Sequence, residues 1–252
     1  MLDELGRGGM AIVFRARQEN LNRIVALKML SAGNIATKEV MARIQQEARA
    51  VAQLQHPGIV QIFEVGLHRG APFLALEYVA GGTLHDWLRG QPQQPMDAAA
   101  VIEQLAQTMQ YAHERGVIHR DLKPANVLLT HRPGDRQSVE TIPLEARSGP
   151  DAASIRNIGA KISDFGLARL LDDHSDLTAT GQILGTPSYM APEQASASGQ
   201  QPTPAQDIYS LGAILYELLT GRPPFRGATL LDTLAQVRTE DPVPPRRLQP
   251  GV

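Results

Sequence analysis

Cysteine is absent from the 252-residue chain. Disulfides, thiolate metal sites and a thiol nucleophile are therefore excluded, which fits a reducing compartment and gives a cytoplasmic expectation. A strong charge of either sign is also missing. The net charge of −2 gives no global electrostatic case for nucleic acid or an anionic membrane surface. No apolar run approaches the ~20 residues that a membrane helix needs. The opening Met1-Leu2-Asp3-Glu4 has none of the features of a secretory leader, so a soluble protein is expected. What remains is ordinary for a globular fold with a sizeable core: 42% hydrophobic and 20% charged residues, in a length that allows one large domain or two lobes.

Against that background one stretch stands out, Val117-Ile118-His119-Arg120-Asp121-Leu122-Lys123-Pro124-Ala125-Asn126-Val127-Leu128-Leu129. Two short branched apolar runs read as small buried strands holding a polar loop at both ends. The loop carries a carboxylate to accept a proton, a lysine beside it and an amide five positions on. That set suits phosphoryl transfer with a metal ion. Any one of these residues alone reads better as a solvated loop residue. The full string, however, matches H-R-D-L-x-x-x-N and resembles the catalytic loop of protein kinases. Lys123-Pro124 resembles the serine/threonine branch.

Leu5-Gly6-Arg7-Gly8-Gly9-Met10-Ala11-Ile12-Val13 is a glycine-rich turn between strands, with Ala11 where a third glycine would fall. Such a turn is most often only a turn. It is followed by Ile24-Val25-Ala26-Leu27-Lys28-Met29-Leu30, an apolar run interrupted by one cation that must find an anionic partner. This order resembles the kinase phosphate loop and its lysine. A helix expected over 37–54 carries Ile44, Ala48, Val51 and Leu54 at helical spacing, with Glu47 placed to reach Lys28. Strands are expected over 59–65 and 72–79, running into the glycine-rich Ala80-Gly81-Gly82. A helix capped by Asp97 should run to Arg115 and stop at Gly116. Thr203-Pro204-Ala205-Gln206 reads as a capping box opening a central apolar helix, ended by Gly221-Arg222-Pro223. Residues 229–238 form a shorter helix, and 242–252 are proline-rich.

Residues 130–160 have no aromatic residue and several turn formers, and they read as an insertion in a surface hairpin, dispensable for the chemistry. Beyond them lies Lys161-Ile162-Ser163-Asp164-Phe165-Gly166, a second carboxylate at a strand end. Gly185-Thr186-Pro187 and Ala191-Pro192-Glu193 resemble the end of a kinase activation segment.

The resemblance runs from Leu5 to about Arg238, nearest to the eukaryotic-like serine/threonine kinases of bacteria. It implies a two-lobed α+β fold. The N-lobe over 1–79 would be a small antiparallel sheet with one main helix, and the C-lobe over 80–252 helical and incomplete at its end. It implies ATP and Mg2+ as cofactors, and proteins with Ser/Thr hydroxyls as substrates. A dimer would serve autophosphorylation; no nucleic-acid partner and no membrane segment are implied. Asp121, Lys123, Lys28 and Glu47 would be catalytic. Nucleotide would meet Leu5, Gly6, Gly8, Gly9, Met10, Val13, Ala26, Lys28, Leu76, Glu77, Val79 and Leu128. Asn126 and Asp164 would hold the metal, and Thr178 and Thr180 would take regulatory phosphate that pairs with Arg120. The resemblance also has Asp207 bonding the backbone of the catalytic loop. Two rival readings, a kinase-shaped binding module without turnover and a kinase of small molecules, stay open at this point.

Overall fold

Branched and alternating side chains make the first third of the chain rich in strands. The computed structural model describes residues 1–8, 11–30, 46–131, 155, 158–165, 187–196 and 201–252. Strands β1 (Asp3–Arg7), β2 (Ala11–Gln18), β3 (Arg23–Leu30), β4 (Ile62–His68) and β5 (Ala71–Glu77) form one five-stranded sheet in the order β1-β2-β3-β5-β4. All its pairings are antiparallel. Register matters here more than strand count. Val13 pairs with Lys28, and Ala26 with Leu76, so these four residues share one face of the sheet. The glycine-rich turn is the β1–β2 connection, where the Gly8 N–H donates to the Ala11 carbonyl at 2.9 Å.

Helical residues 46–52, called α1, pack Ala48 and Val51 into the core; the earlier part of the expected helix lies outside the described residues. Strand β4 begins three residues later than expected. Ile59 instead makes an isolated parallel bridge to Ile162, tying the β-rich lobe to the remainder.

The second lobe is helical. A short helix α2 (Leu84–Leu88) is capped by the Thr83 side chain, which accepts from the Asp86 N–H at 3.0 Å. Helix α3 spans Pro95–His113. Its N-cap is Gln94, not Asp97, because Pro95 at the first helical position moves the start three residues earlier. It also ends before Arg115, although Gly116 follows with φ +73°. Strands β6 (Val127–Leu129) and β7 (Ala160–Ile162) form a separate two-stranded antiparallel sheet. Gly81 packs against β6: its N–H donates to the Leu129 carbonyl at 2.9 Å. A Cβ there would lie 2.3 Å from that same oxygen, so only glycine fits the lobe junction.

The short helix α4 (Pro192–Ala195) precedes α5 (Pro204–Thr220), the central helix, with Ile214 and Leu218 fully buried. Ile208 is exposed, so the helix is not covered on every side. Thr203 is the N-cap residue as expected, but its side chain makes no capping bond. Gly221 closes α5 at φ +77° with its N–H on the Glu217 carbonyl. The capping box sits instead on α6 (Leu230–Thr239), where Thr229 and Asp232 exchange side-chain bonds with each other's backbone N–H. A last turn, α7 (Pro245–Leu248), follows Val243, whose carbonyl accepts from the Tyr216 hydroxyl at 2.7 Å.

Part of the stretch expected as an insertion, 130–160, is packed into the fold. Ile155 and Ile158 are buried in the same hydrophobic core as Leu129 and Phe165, and the Thr130 N–H donates to the Gly159 carbonyl. Residues 132–154 lie outside the described residues.

Candidate active site

The loop 119–126 is held by backbone bonds from several directions. Asp207, fully buried on α5, accepts from the His119 N–H at 2.9 Å through Oδ2 and from the Arg120 N–H at 2.8 Å through Oδ1. His113 adds a contact at 2.8 Å from its Nε2 to Asp207 Oδ2. A buried carboxylate needs such donors to offset its lost hydration. The buried His119 ring reaches the Ser163 carbonyl through Nε2 at 2.9 Å, while its Nδ1 accepts from the Asp121 N–H at 3.2 Å. Those partners fix the tautomer: Nε2 carries the proton. Arg120 has φ +69°, a conformation that costs a non-glycine residue ~1–3 kcal/mol and persists only where the surroundings impose it.

Within that frame Lys123 Nζ lies 2.7 Å from Asp121 Oδ2. Asn126 uses its Nδ2 on the Asp121 backbone carbonyl at 2.8 Å, which leaves its amide oxygen for another partner. Ser163 donates its N–H to the Asn126 carbonyl at 2.9 Å, bringing the end of β7 against the loop. The next residue, Asp164, has φ +64° and places Oδ1 2.7 Å from Lys28 Nζ. Burial opposes ionisation of the Asp164 carboxyl, but the Lys28 ammonium, helped by His119 and Lys123, outweighs it. The carboxyl is held below the usual carboxylate range.

That pairing corrects an expectation. Lys28 is matched with Asp164, and Glu47 instead faces Arg120, with 3.7 Å between Oε1 and the guanidinium. Two cations and two carboxylates converge here from four segments, and sequence spacing does not say which acid is nearer which base. The structure brings Asp121, Lys123 and Asn126 together on the loop and sets Asp164 against Lys28.

Of the residues named for nucleotide, Val13, Ala26 and Leu76 share the Lys28 face, and Leu128 on β6 packs against the core below. Leu5, Gly6 and Gly8 lie on the β1–β2 hairpin, and Val79 follows β5. Glu77 ends β5, with its carboxylate held by Lys161 at 2.9 Å and by the Gln61 N–H at 3.2 Å. Gly9, Met10, Thr178, Thr180 and Thr186 lie outside the described residues.

Several contacts around the site were not legible beforehand. Lys161, His113 and Gln194 reach partners far away in sequence, His113 and Asp207 being 94 positions apart. Tyr189 donates to Glu217 Oε2 at 2.5 Å in the core. Burial, then the Glu217 charge, push the Tyr189 hydroxyl far above a phenol's usual range.

Among the described residues no cluster of three or more His, Cys, Asp or Glu could hold a metal by itself. The donor set nevertheless fits magnesium bound together with phosphates. Asp164 and Asn126 offer hard oxygen ligands, too few for a cage and enough for an ion whose remaining ligands come from nucleotide and water.

A fold with a β-rich lobe over a helical one, and this loop between them, is that of a protein kinase. The sequence profile of the protein kinase domain matches residues 1–244, and the chain belongs to that family. Similar proteins carry the name serine/threonine-protein kinase. The chain is 38% identical over 251 residues to serine/threonine-protein kinase pkn3 of Myxococcus xanthus, covering 98% of this chain and 42% of that protein. It is 35% identical over 255 residues to PknB of Mycobacterium leprae, covering 99% and 37% respectively. Identity to Pkn1 of Myxococcus xanthus is 36% over 252 residues, covering 100% and 33%. The chain thus spans well under half the length of these relatives. Among the described residues no helix is long and apolar enough to cross a membrane.

Proposed function

We propose that this chain transfers the γ-phosphate of ATP to serine or threonine hydroxyls of protein substrates. The observation that carries the reading is the convergence of Asp121, Lys123, Asn126, Asp164 and Lys28 between the two lobes. Asp121 accepts the proton of the acceptor hydroxyl. Lys123, already 2.7 Å from Asp121, neutralises charge on the phosphoryl group as it moves. Lys28 orients the α- and β-phosphates from its place on β3. Asp164 and Asn126 would hold magnesium, which would supply positive charge against the charge that develops on the phosphoryl group. Val13, Ala26, Leu76 and Leu128 supply apolar surface for adenine, with the backbone at Glu77 and Val79 giving polar contacts. The segment at 185–193 favours polypeptide acceptors over small molecules, since it resembles a platform for protein substrates.

Regulation belongs to the same proposal. Phosphate on Thr178 or Thr180 would draw on Arg120, whose Nε has no partner among the described residues and whose contact with Glu47 is long. A phosphate group accepts a bidentate arginine bond and would release Glu47 toward Lys28. Autophosphorylation between two copies would then raise activity.

The test incubates the protein with labelled ATP, magnesium and a generic protein acceptor, followed by phosphosite mapping, with Lys28→Met in parallel. Transfer to Ser/Thr by the wild type and its loss in a folded Lys28→Met protein is the expected result. Nucleotide binding without transfer would favour the binding-module reading.

A further inference from the structure

Gln194 is the N3 residue of the short helix α4, and its side chain bridges two backbones. Its Oε1 accepts from the Ala191 N–H at 3.0 Å, and its Nε2 donates to the Arg120 carbonyl at 3.0 Å. The orientation of the amide is forced, because one partner is a donor and the other an acceptor. The first bond is ordinary helix capping. The second leaves the helix and lands on the peptide unit that joins Arg120 to Asp121.

That peptide unit is the one whose plane sets the direction of the Asp121 side chain. Its other polar group, the Asp121 N–H, is taken by His119 Nδ1 at 3.2 Å. On the preceding side the Arg120 N–H is held by Asp207 at 2.8 Å, and on the following side Asn126 binds the Asp121 carbonyl at 2.8 Å. Arg120 sits at φ +69° between them, so the turn depends on such restraints. Helix α5 meanwhile anchors the 187–196 segment independently. Ser210 Oγ donates to the Tyr189 carbonyl at 2.9 Å, and Glu217 accepts from the Tyr189 hydroxyl. Central helix, catalytic loop and 187–196 segment therefore form three sides of a triangle, which Gln194 closes. A closed triangle of short bonds resists the relative shifts of about 1 Å that cost a reaction two orders of magnitude.

We propose that Gln194 is a positioning residue for phosphoryl transfer: its amide N–H, acting on the Arg120 carbonyl, fixes the Asp121 carboxylate relative to the segment that would seat the protein substrate. This rests on the kinase reading above. If Gln194 served only to cap α4, the amide oxygen would be the sole part that matters.

The two roles separate by substitution in the whole chain. Gln194→Glu keeps the acceptor for the Ala191 N–H and loses the donor; Gln194→Lys keeps a donor for the Arg120 carbonyl and loses the acceptor. The expected result is a fall in kcat of about 10- to 100-fold for Gln194→Glu, a smaller fall for Gln194→Lys, and an unchanged KM for ATP in both. Equal falls, or a larger fall for Gln194→Lys, would overturn the proposal and leave the cap. Should the wild type show no transfer at all, the kinase reading fails by itself. Amide hydrogen exchange over residues 117–129 then still decides the clamp: faster exchange in Gln194→Glu than in Gln194→Lys supports it, and equal exchange removes it.

Discussion

Glu47 stands against Arg120, its carboxylate 3.7 Å from the guanidinium, while Lys28 is held by Asp164 at 2.7 Å. Both side chains of the Glu47–Arg120 pair are about 30% exposed, and such a long, solvated pair contributes at most ~1 kcal/mol. An arrangement that weak can exchange partners. If Glu47 moves to Lys28 during turnover, Glu47→Gln should lower kcat about tenfold or more by loosening the lysine. Steady-state kinetics with a peptide acceptor measures it. A kcat equal to wild type would show that Lys28 works with Asp164 alone.

Asp121→Asn removes the proton acceptor while keeping the side chain's shape and its place beside Lys123. Turnover should fall by about 10²–10⁴ with nucleotide affinity nearly unchanged. Calorimetric nucleotide titration and single-turnover transfer together check it. Near-wild-type turnover would end the assignment.

Asp164 gives a prediction in pH. Its carboxyl is held below its unfolded value, so its contribution to stability is present above about pH 4 and is lost as pH falls through the lower folded value. Asp164→Asn cannot ionise and lacks that contribution. Urea unfolding should therefore find the wild type more stable than Asp164→Asn at pH 7, with the gap narrowing below about pH 4. A gap that stays constant through the acid range would mean that the carboxylate charge is not what Lys28 stabilises.

The stretch expected as an insertion, 130–160, has buried residues from Ile155 onward among those described. Thr130 and Gly159 are already paired, so replacing 132–154 by a short turn costs little loop-closure entropy and should leave transfer within a few-fold of wild type. Extending the deletion through Ile158 removes two buried isoleucines, each worth roughly 2–5 kcal/mol against a truncated side chain, and should unfold or strongly destabilise the protein. Thermal melts of the two deletions give the comparison. Equal melting temperatures would contradict the role given to Ile155 and Ile158.

Much of the fold was legible because local patterns repeat there. The strand around Lys28 is a branched run with one cation, and α5 is a long apolar helix ended by Gly221, whose φ of +77° suits glycine. The ends were less readable. Pro95 outcompeted Asp97 for the start of α3, and Thr203 stands at a cap position without using its hydroxyl. Both outcomes turn on which donor a side chain finally faces, a matter of ångströms that residue type does not specify.

The sequence by itself determined which groups are available for chemistry: one carboxylate, lysine and asparagine on a short loop, a second carboxylate after β7, and a lysine on β3. Covalent spacing fixes those within a segment, which is why Asp121, Lys123 and Asn126 could be read together. Tertiary structure alone decided the pairings between segments. Lys28 with Asp164, Glu47 with Arg120 and Gln194 with the Arg120 carbonyl join residues 136, 73 and 74 positions apart. Charge and hydrogen-bonding capacity permit several matchings among such groups. Only the packing of α1, β3, β7 and α4 around one loop selects among them, because these interactions fall off within a few ångströms.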